Sequence, residues 1–393
     1  MAALSLGAAE MVLRLLAPVP LEGSSQPAGP ALRVTIKQDL PGLKPRVHYE
    51  RNDYGLRTTA HIPGPKPAGV TRILCLGAST TDQATQNVED TWCSRLGVGL
   101  DRKLGAQVQR FEAAGYGRGG YRAIDLLAWV EDSLEAVQPD VVVVLVGIND
   151  LAFMGGPGYI YRGLDLSLAA SRRARGPKPP GKPSIARRLC PTSLQLCRRL
   201  ILLKRRFTAN PLEWHGTNLT KRRREYRRLP AVTELRRDPD PAVEFHDAVD
   251  SLVGTLQSRG IKTVLLGQPT LWSPDPTQEE EAVLWFGVET PKGKVRPSGR
   301  WLAQEMARYN SILEGVAVRR EVSYLNLEAR IPRTLDYFID DCHFTDLGSE
   351  RISDAILPVV GALQPRPVAV TGKTRGWRGR GRRRSRARAR RRW

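Results

Sequence analysis

The chain has 393 residues, 41% of them hydrophobic, and a formal net charge of +21. This length allows a sizeable core and one to three domains, and five cysteines are too few for a disulfide-stapled scaffold. Residues 366–393 hold thirteen Lys or Arg and no acid, and residues 172–228 carry a net charge of +16. The summed charge of these two segments is larger than the net charge of the whole chain. The rest of the chain is therefore acidic, as in an ordinary soluble enzyme.

The N-terminal residues are apolar but do not form a membrane-spanning pattern. Residues 1–19 are interrupted by Glu10 and Arg14, and the nine-residue run before Glu10 is too short to cross a bilayer. This pattern predicts an amphipathic helix on the surface. Residues 20–70 are rich in proline and glycine and predict a loop.

The first buried strand of the core is predicted at Ile73–Leu76, which is apolar and unbroken. Gly77 ends this run, and Ser79 follows. A hydroxyl at the carboxyl end of a strand lies where open α/β sheets bind their ligands. Taken alone, a cap of the next helix by Ser79 or Thr80 is the commoner role for such residues.

A helix and a glycine-rich loop follow this strand. Residues 92–104 have helical spacing of apolar side chains and are expected to pack on the core. Residues 113–121, AAGYGRGGY, contain four glycines, which let backbone amides approach a bound oxygen closely. A flexible turn without a ligand is the alternative. The pattern of residues 124–134 predicts a second helix.

Two later stretches carry polar residues beside predicted elements. The valine-rich run from Val141 ends in Gly147, Ile148, Asn149 and Asp150, and it predicts a second buried strand. The polar residues after it have an alternative role as a helix cap. Further on, DDCHFTDLG begins at residue 340.

Asp340 and His343 are three residues apart just before a helix-like segment, so one turn brings carboxylate and imidazole into contact. A histidine buried in the core is the alternative for His343.

The three stretches supply a nucleophile, an amide donor and an acid–base pair in the order Ser, Asn, Asp, His. In this order the chain resembles the SGNH/GDSL hydrolase family, whose blocks I, III and V are matched by Gly77–Ser79, Gly147–Asp150 and Asp340–His343. The family's usual aspartate before the serine is Ala78 here, which affects the local turn more than the chemistry. No G-x-S-x-G motif is present, which argues against an ordinary α/β-hydrolase.

The resemblance implies a three-layer α/β/α fold with a mostly parallel sheet, flavodoxin-like in outline. It also implies a catalytic triad of Ser79, His343 and Asp340, with no metal and no cofactor. The implied oxyanion hole consists of the backbone N–H of Ser79, a backbone N–H of the block II glycine and the side-chain amide of Asn149.

Two glycines of the loop at residues 113–121 are candidates for the glycine of the family's block II. Counting back from Pro139 favours Gly120, and counting forward from a strand ending near Phe111 favours Gly117. We prefer Gly120, because the following helix then has its usual length.

The basic segment interrupts the family pattern. The resemblance divides the chain into an N-terminal extension (1–70), a split hydrolase domain (71–150 and 242–360), a basic insertion (151–241) and a disordered Arg-rich tail (361–393). The insertion is interpreted as a lid, a membrane-surface helix, an electropositive landing surface or simply a solvated segment. His215 within it has no partner motif, and the tail lacks the apolar residues needed to fold alone.

The α/β pattern resumes after the insertion. A helix from Ala242, a strand at Thr263–Gly267 and a later strand at Val322–Leu327 are predicted. The loop after the first of these strands resembles a Q-P-T loop that the family often places beside its site. Gln268 or Trp272 is therefore expected either to line the pocket or to take part in ordinary loop packing.

Membrane contact and redox state remain open at this stage. In the resembling family, a stretch like Glu10–Leu16 often follows a membrane anchor, so the chain is membrane-associated or exported if an anchor lies upstream of Met1, and cytoplasmic otherwise. Cys75 is expected to be a small buried apolar residue in a strand. Cys190 and Cys197 are a pair that an oxidising compartment would join, although spacing alone rarely specifies a bridge.

The leading functional hypothesis is a serine esterase acting on O-acyl groups, O-acetyl among them, of a carbohydrate or lipid. The same residues would serve an O-acyltransferase, because both reactions share the acyl-enzyme. A polyanion- or nucleic-acid-binding protein that uses the basic tail and insertion, or contact of these segments with a membrane surface, is an alternative. The intact set of polar residues argues against a carbohydrate-binding pseudoenzyme, and the oligomeric state stays open.

Overall fold

The computed structural model describes residues 32–52, 54–62, 65–104, 110–152, 216–238 and 240–363. The expectations for residues 1–19, Cys190, Cys197, His215 and the Arg-rich tail lie outside these ranges. None of the helices within them combines the length and apolar character that crossing a bilayer requires.

The described residues form ten strands and nine α-helices. The strands are β1 (Leu32–Lys37), β2 (Arg46–Arg51), β3 (Val70–Gly77), β4 (Arg110–Gly117), β5 (Val141–Leu145), β6 (Ala231–Val232), β7 (Lys262–Gly267), β8 (Val288–Thr290), β9 (Gly293–Pro297) and β10 (Ser323–Asn326). The helices are α1 (Ser79–Asp82), α2 (Trp92–Leu104), α3 (Ala123–Val137), α4 (Ile148–Ala152), α5 (Gly216–Arg227), α6 (Pro241–Ser258), α7 (Gln278–Val283), α8 (Gly299–Arg320) and α9 (Asp346–Ala362).

A five-stranded parallel sheet in the order β10-β7-β5-β3-β4 forms the centre of the molecule. Strands β3 and β5 are buried on both faces, as the unbroken apolar runs Ile73–Leu76 and Val141–Leu145 require. Helices α2 and α9 pack together, and α6 packs against both α3 and α8. The α/β three-layer fold and the mostly parallel sheet expected from the sequence are thereby confirmed.

The strand β4 differs from its expected position. It runs from Arg110 to Gly117 and pairs along its whole length with β3, so that Gly117 lies opposite Gly77. The strand therefore begins, rather than ends, near Phe111, and the count that favoured Gly117 as the block II glycine started from the wrong place.

The segment predicted as a loop before the core contains an antiparallel hairpin. Strands β1 and β2 pair from Leu32 opposite Arg51 to Lys37 opposite Arg46. Ile36, Val47 and Tyr49 form a small buried cluster on one face of it. The alternation of these apolar side chains indicates strands, but the surrounding prolines and glycines obscured it.

Part of the basic insertion is packed into the fold. Leu219 and Tyr226 of α5 are buried. The short strand β6 joins β9 and β8 in a separate three-stranded sheet, which the sequence did not indicate. Arg237 donates a hydrogen bond to the carbonyl of Leu151 at 2.7 Å. Residues 216–238 therefore belong to the folded body.

Cys75 is buried, as expected, but it is not a lone apolar residue. It forms a disulfide with Cys93, with the two Cα atoms 6.1 Å apart. The bridge joins β3 to α2, which meet only in the folded chain. Cys342 is a buried free thiol.

Candidate active site

Ser79 is the first residue of α1, directly after the carboxyl end of β3. The carbonyl of Ala78 accepts hydrogen bonds from the N–H groups of Thr81 at 3.1 Å and Asp82 at 2.9 Å. Ala78 itself holds the cap position, where no side chain caps the helix. The turn therefore forms with alanine before the serine, and the helix-cap role considered for Ser79 is wrong.

The Ser79 hydroxyl contacts an acid–base pair from the far end of the chain. His343 Nε2 lies 2.8 Å from Ser79 Oγ, and His343 Nδ1 lies 2.9 Å from each carboxylate oxygen of Asp340. Because a carboxylate only accepts hydrogen bonds, Nδ1 carries the proton of the neutral imidazole, and Nε2 is then the acceptor for the hydroxyl. This is the tautomer that a histidine base needs to take a proton from serine.

Backbone and tryptophan donors hold the Asp340 carboxylate in place. Its Oδ1 accepts from the N–H groups of Cys342 at 3.1 Å and His343 at 2.9 Å. Its Oδ2 accepts from Trp285 Nε1 at 2.9 Å. The Trp285 ring also lies nearly parallel to the imidazole, at 11° and 6.2 Å between centres. Trp285 thus contacts both members of the pair, and no sequence motif pointed to it.

The charges of this pair stabilise one another. Burial alone raises the pKa of Asp340, but the neighbouring His343 and the donated hydrogen bonds outweigh it and hold the pKa below its ordinary value. Burial lowers the pKa of His343, yet the Asp340 charge prevails and raises it well above 6.5. The pair therefore favours an imidazolium beside a carboxylate.

The adjacent Asp341 has a different environment. Its carboxylate accepts from Trp272 Nε1 and from the Trp285 N–H, each at 2.8 Å, and does not contact the imidazole. Burial, together with the charge of Asp340, raises the pKa of Asp341 to about 7. Asp340, as the sequence predicted, is the carboxylate that faces His343.

Asn149 lies beside the glycine-rich turn, where its Nδ2 donates to the carbonyl of Tyr121 at 2.8 Å. Gly120, one residue earlier, has a φ of +84°, a conformation that favours glycine. At Gly117 a side chain would overlap the carbonyl of Ala78, so close packing beneath the Ser79 turn explains that glycine. The structure thus places Gly120 in the turn beside Asn149 and Gly117 within the sheet.

Asp150 holds the end of the glycine-rich turn through a hydrogen bond. Its Oδ1 accepts from the N–H of Ala123, at the start of α3, at 3.0 Å. Its Oδ2 has no hydrogen-bond partner among the described residues, and burial raises its pKa to about 7. Asp150 therefore joins the segment that carries Asn149 to the helix that follows the glycine-rich turn.

The N-terminal hairpin and the segment that follows it support the nucleophile turn. Arg57 is buried and donates to the carbonyls of Asp82, Gln83 at 2.6 Å and Gln86 at 2.7 Å. The Asp82 carboxylate accepts from Tyr49 and from Arg51. The sequence predicted only a loop over residues 20–70, so this contact with the site was missed.

Replacing Arg57 by lysine is expected to lower the free energy of unfolding by about 2–4 kcal/mol, because a single ammonium cannot reach three buried carbonyls. Arg46, exposed at the start of β2, provides the matched control, and Arg46→Lys is expected to change stability by less than about 0.5 kcal/mol. Urea unfolding followed by tryptophan fluorescence measures both. Equal stability of the two variants would contradict the structural role of Arg57.

The loop after β7 does not line the site. Gln268 and Trp272 are completely buried, with Gln268 Nε2 donating to the carbonyl of Pro269. The expectation that one of them lines the pocket is therefore wrong, and ordinary loop packing is what the structure shows.

Asp340, Cys342 and His343 also place three potential metal-ligating atoms within 4.8 Å of one another. The Asp340 oxygens and His343 Nδ1 already bond to each other, and burial raises the pKa of the Cys342 thiol to about 11. Asp340 and His343 are thus engaged with each other, and Cys342 is kept as a neutral thiol, whereas a metal ion binds the thiolate.

Comparison with known proteins agrees with this geometry. Residues 75–226 match the family model of the GDSL-like lipases and acylhydrolases. The chain is an ester-bond hydrolase, and over these residues it is similar to the GDSL-like family. No curated protein matches the sequence of this hydrolase.

Solved structures similar to the hydrolase include three acetyl esterases. The acetyl xylan esterase AlAXEase is 17% identical, with a TM-score of 0.38, over 74% of this chain and 99% of that one. The acetylxylan esterase Axe2 from Geobacillus stearothermophilus is 13% identical, with a TM-score of 0.39, over 74% and 94%. Est24, a carbohydrate acetylesterase from Sinorhizobium meliloti, is 12% identical, with a TM-score of 0.39, over 75% and 100%.

Proposed function

We propose that the hydrolase is a serine esterase that cleaves O-acyl esters, O-acetyl esters among them, of a carbohydrate or lipid. The observation that carries the proposal is the continuous chain of hydrogen bonds from Ser79 through His343 to Asp340. A serine hydroxyl is a weak nucleophile at neutral pH unless a base removes its proton during attack. His343 is the only base that contacts it among the described residues.

The reaction would proceed in two halves. Ser79 Oγ attacks the carbonyl carbon of the ester while its proton passes to His343 Nε2. The tetrahedral intermediate then collapses, and the departing alcohol takes that proton and leaves the acyl group on Ser79. Water attacks the acyl-enzyme in the same way, its proton passes to His343, and the acid leaves as Ser79 regains its proton. Asp340 stabilises the imidazolium that forms in each half.

The oxyanion of each intermediate would be stabilised by the N–H groups of Ser79 and Gly120 and by the amide of Asn149. An amide NH₂ carries two donors. One of those on Asn149 is directed to Tyr121, and the other would donate to the oxyanion.

Asn149→Ala is expected to lower kcat by about 10²–10³-fold, the usual effect of removing one oxyanion donor. Stopped assays with p-nitrophenyl acetate measure this, and circular dichroism establishes that the variant is folded. A folded Asn149→Ala enzyme with kcat within fivefold of the wild type would remove Asn149 from the oxyanion hole.

Release of p-nitrophenol and acetate from p-nitrophenyl acetate tests the proposed function directly. A glucose or xylose acceptor added to the assay separates hydrolysis from acyl transfer, because a transferase passes the acetyl group from Ser79 to a sugar hydroxyl and so forms an acetylated sugar in place of free acetate. We expect free acetate to remain the main product. An enzyme that releases neither product while it stays folded would contradict the proposal.

A further inference from the structure

The inner face of α5 carries two arginines beside the site. Leu219 and Tyr226 are buried on this helix, and positions 219, 222, 223 and 226 share one face of an α-helix. Lys221, Arg224 and Glu225 lie on the other faces and are exposed. Arg222 and Arg223 therefore point towards the folded body and not into bulk solvent.

Arg223 has a structural role. Its guanidinium donates to the carbonyls of Val283 at 3.1 Å and Ile339 at 3.0 Å. These bonds attach α5 to the loop before Trp285 and to the residue before Asp340. The position of α5 relative to the acid–base pair is fixed in this way.

Arg222 has no such partner within the described ranges. Its guanidinium carbon lies 4.5 Å from the centre of the Trp285 ring, and no hydrogen bond or ion pair to another described residue accompanies this contact. The Trp285 ring in turn stacks with His343 and donates to Asp340. The Arg222 guanidinium and the His343 imidazole thus both lie against the ring of Trp285.

A guanidinium that lies over an aromatic ring keeps its N–H donors free at the edge of its plane. Those donors match the paired oxygens of a carboxylate, a phosphate or a sulfate. The two nearby carboxylates, of Asp340 and Asp341, are already engaged by His343 and by the two tryptophans. Among the described residues the donors of Arg222 are thus unused, which leaves them able to bind an anionic group of a ligand.

We propose that Arg222 recognises an anionic group of the substrate, so that the preferred ester belongs to an acidic carbohydrate or an acidic lipid. This inference rests on the proposed esterase function and adds the charge of the substrate to it. Arg222 acts as a specificity-determining residue, because it contacts a part of the substrate that does not react.

Two esters that differ in charge, and otherwise by one methyl group, test the proposal. They are 4-acetoxybenzoate, which is anionic at neutral pH, and its neutral methyl ester. The quantity measured is the ratio of kcat/KM for the anionic ester to kcat/KM for the neutral one. This ratio does not respond to a general loss of active enzyme, because such a loss lowers both rates equally.

Arg222→Gln is expected to lower the ratio about tenfold, mainly through KM for the anionic ester, and Arg222→Lys to lower it less. High salt should lower the wild-type ratio in the same direction. Arg224→Gln removes an equal charge from the exposed side of the same helix and is expected to leave the ratio within twofold. A fall of less than threefold in Arg222→Gln, or an equal fall in Arg224→Gln, would overturn the proposal.

Ser79→Ala separates this proposal from the one on which it rests. If Ser79→Ala still hydrolyses both esters, the proposed function itself fails. If it hydrolyses neither and the ratio is unchanged in Arg222→Gln, only the role of Arg222 fails. O-Acetylated polygalacturonate and phosphatidylglycerol vesicles then distinguish the source of the anion, by release of acetate from the glycan or of fatty acid from the lipid.

Discussion

Replacing Ser79 by alanine is expected to lower hydrolysis of p-nitrophenyl acetate by about 10⁴-fold or more, without loss of fold. The hydroxyl is the nucleophile in the proposed mechanism, and its only hydrogen-bond partner among the described residues is His343. Assays with enough enzyme to detect the residual rate provide the measurement.

The neighbouring Thr80 supplies the matched control. Its hydroxyl is buried and has no hydrogen-bond partner among the described residues. Thr80→Val keeps the shape of the side chain and is therefore expected to retain activity within a few fold. Retention of activity in Ser79→Ala together with its loss in Thr80→Val would show that the nucleophile had been assigned to the wrong hydroxyl.

Asp340→Asn is expected to lower kcat by about 10⁴-fold and to move the acid limb of the pH profile to lower pH. The mechanism needs a neutral His343, so activity falls as the imidazole gains a proton. The Asp340 charge raises the pKa of His343 above 6.5, which places the wild-type acid limb above that value. Removing the charge lowers the pKa of His343, so the limb shifts downward. Profiles of kcat/KM against pH report this titration in the free enzyme.

Asp341→Asn is the control for this change. The Asp341 carboxylate contacts Trp272 and the backbone of Trp285 and not the imidazole, so its replacement should affect folding more than the pH profile. A larger loss of turnover in Asp341→Asn, accompanied by the downward shift of the acid limb, would show that Asp341 and not Asp340 is the carboxylate that pairs with His343.

The residues that could be predicted from sequence stand in short motifs at the ends of strands or before a helix. Ser79 and Asn149 each follow a buried apolar run, and Asp340 and His343 fall within one turn of each other. Parallel strands bring their carboxyl ends to one edge of the sheet, so a local pattern was enough to place the serine and the amide there.

The contacts that were missed join residues far apart in the sequence. Arg57 lies 25 residues or more from the carbonyls that it binds, and Trp285 lies 55 residues from Asp340. Single residues of this kind carry no periodic signal. The pairing of Cys75 with Cys93 was missed for the same reason, because it depends on how α2 packs against β3.

The choice between Gly117 and Gly120 shows how an error in a predicted strand boundary changes the residue that is assigned to the site. The count that favoured Gly117 assumed a strand that ended near Phe111, whereas β4 continues to Gly117 itself. The backbone conformation at Gly120 and the neighbouring Asn149 contact now support the other choice.

Mapping the adduct of a fluorophosphonate tests directly whether Ser79 is the nucleophile. This reagent phosphonylates an activated serine and releases fluoride, and trypsin then yields a peptide of residues 73–95. We expect one adduct per chain, localised by fragmentation to Ser79 and absent from Ser79→Ala. An adduct on another residue of an active enzyme, or continued esterase activity with Ser79 fully modified, would contradict this assignment.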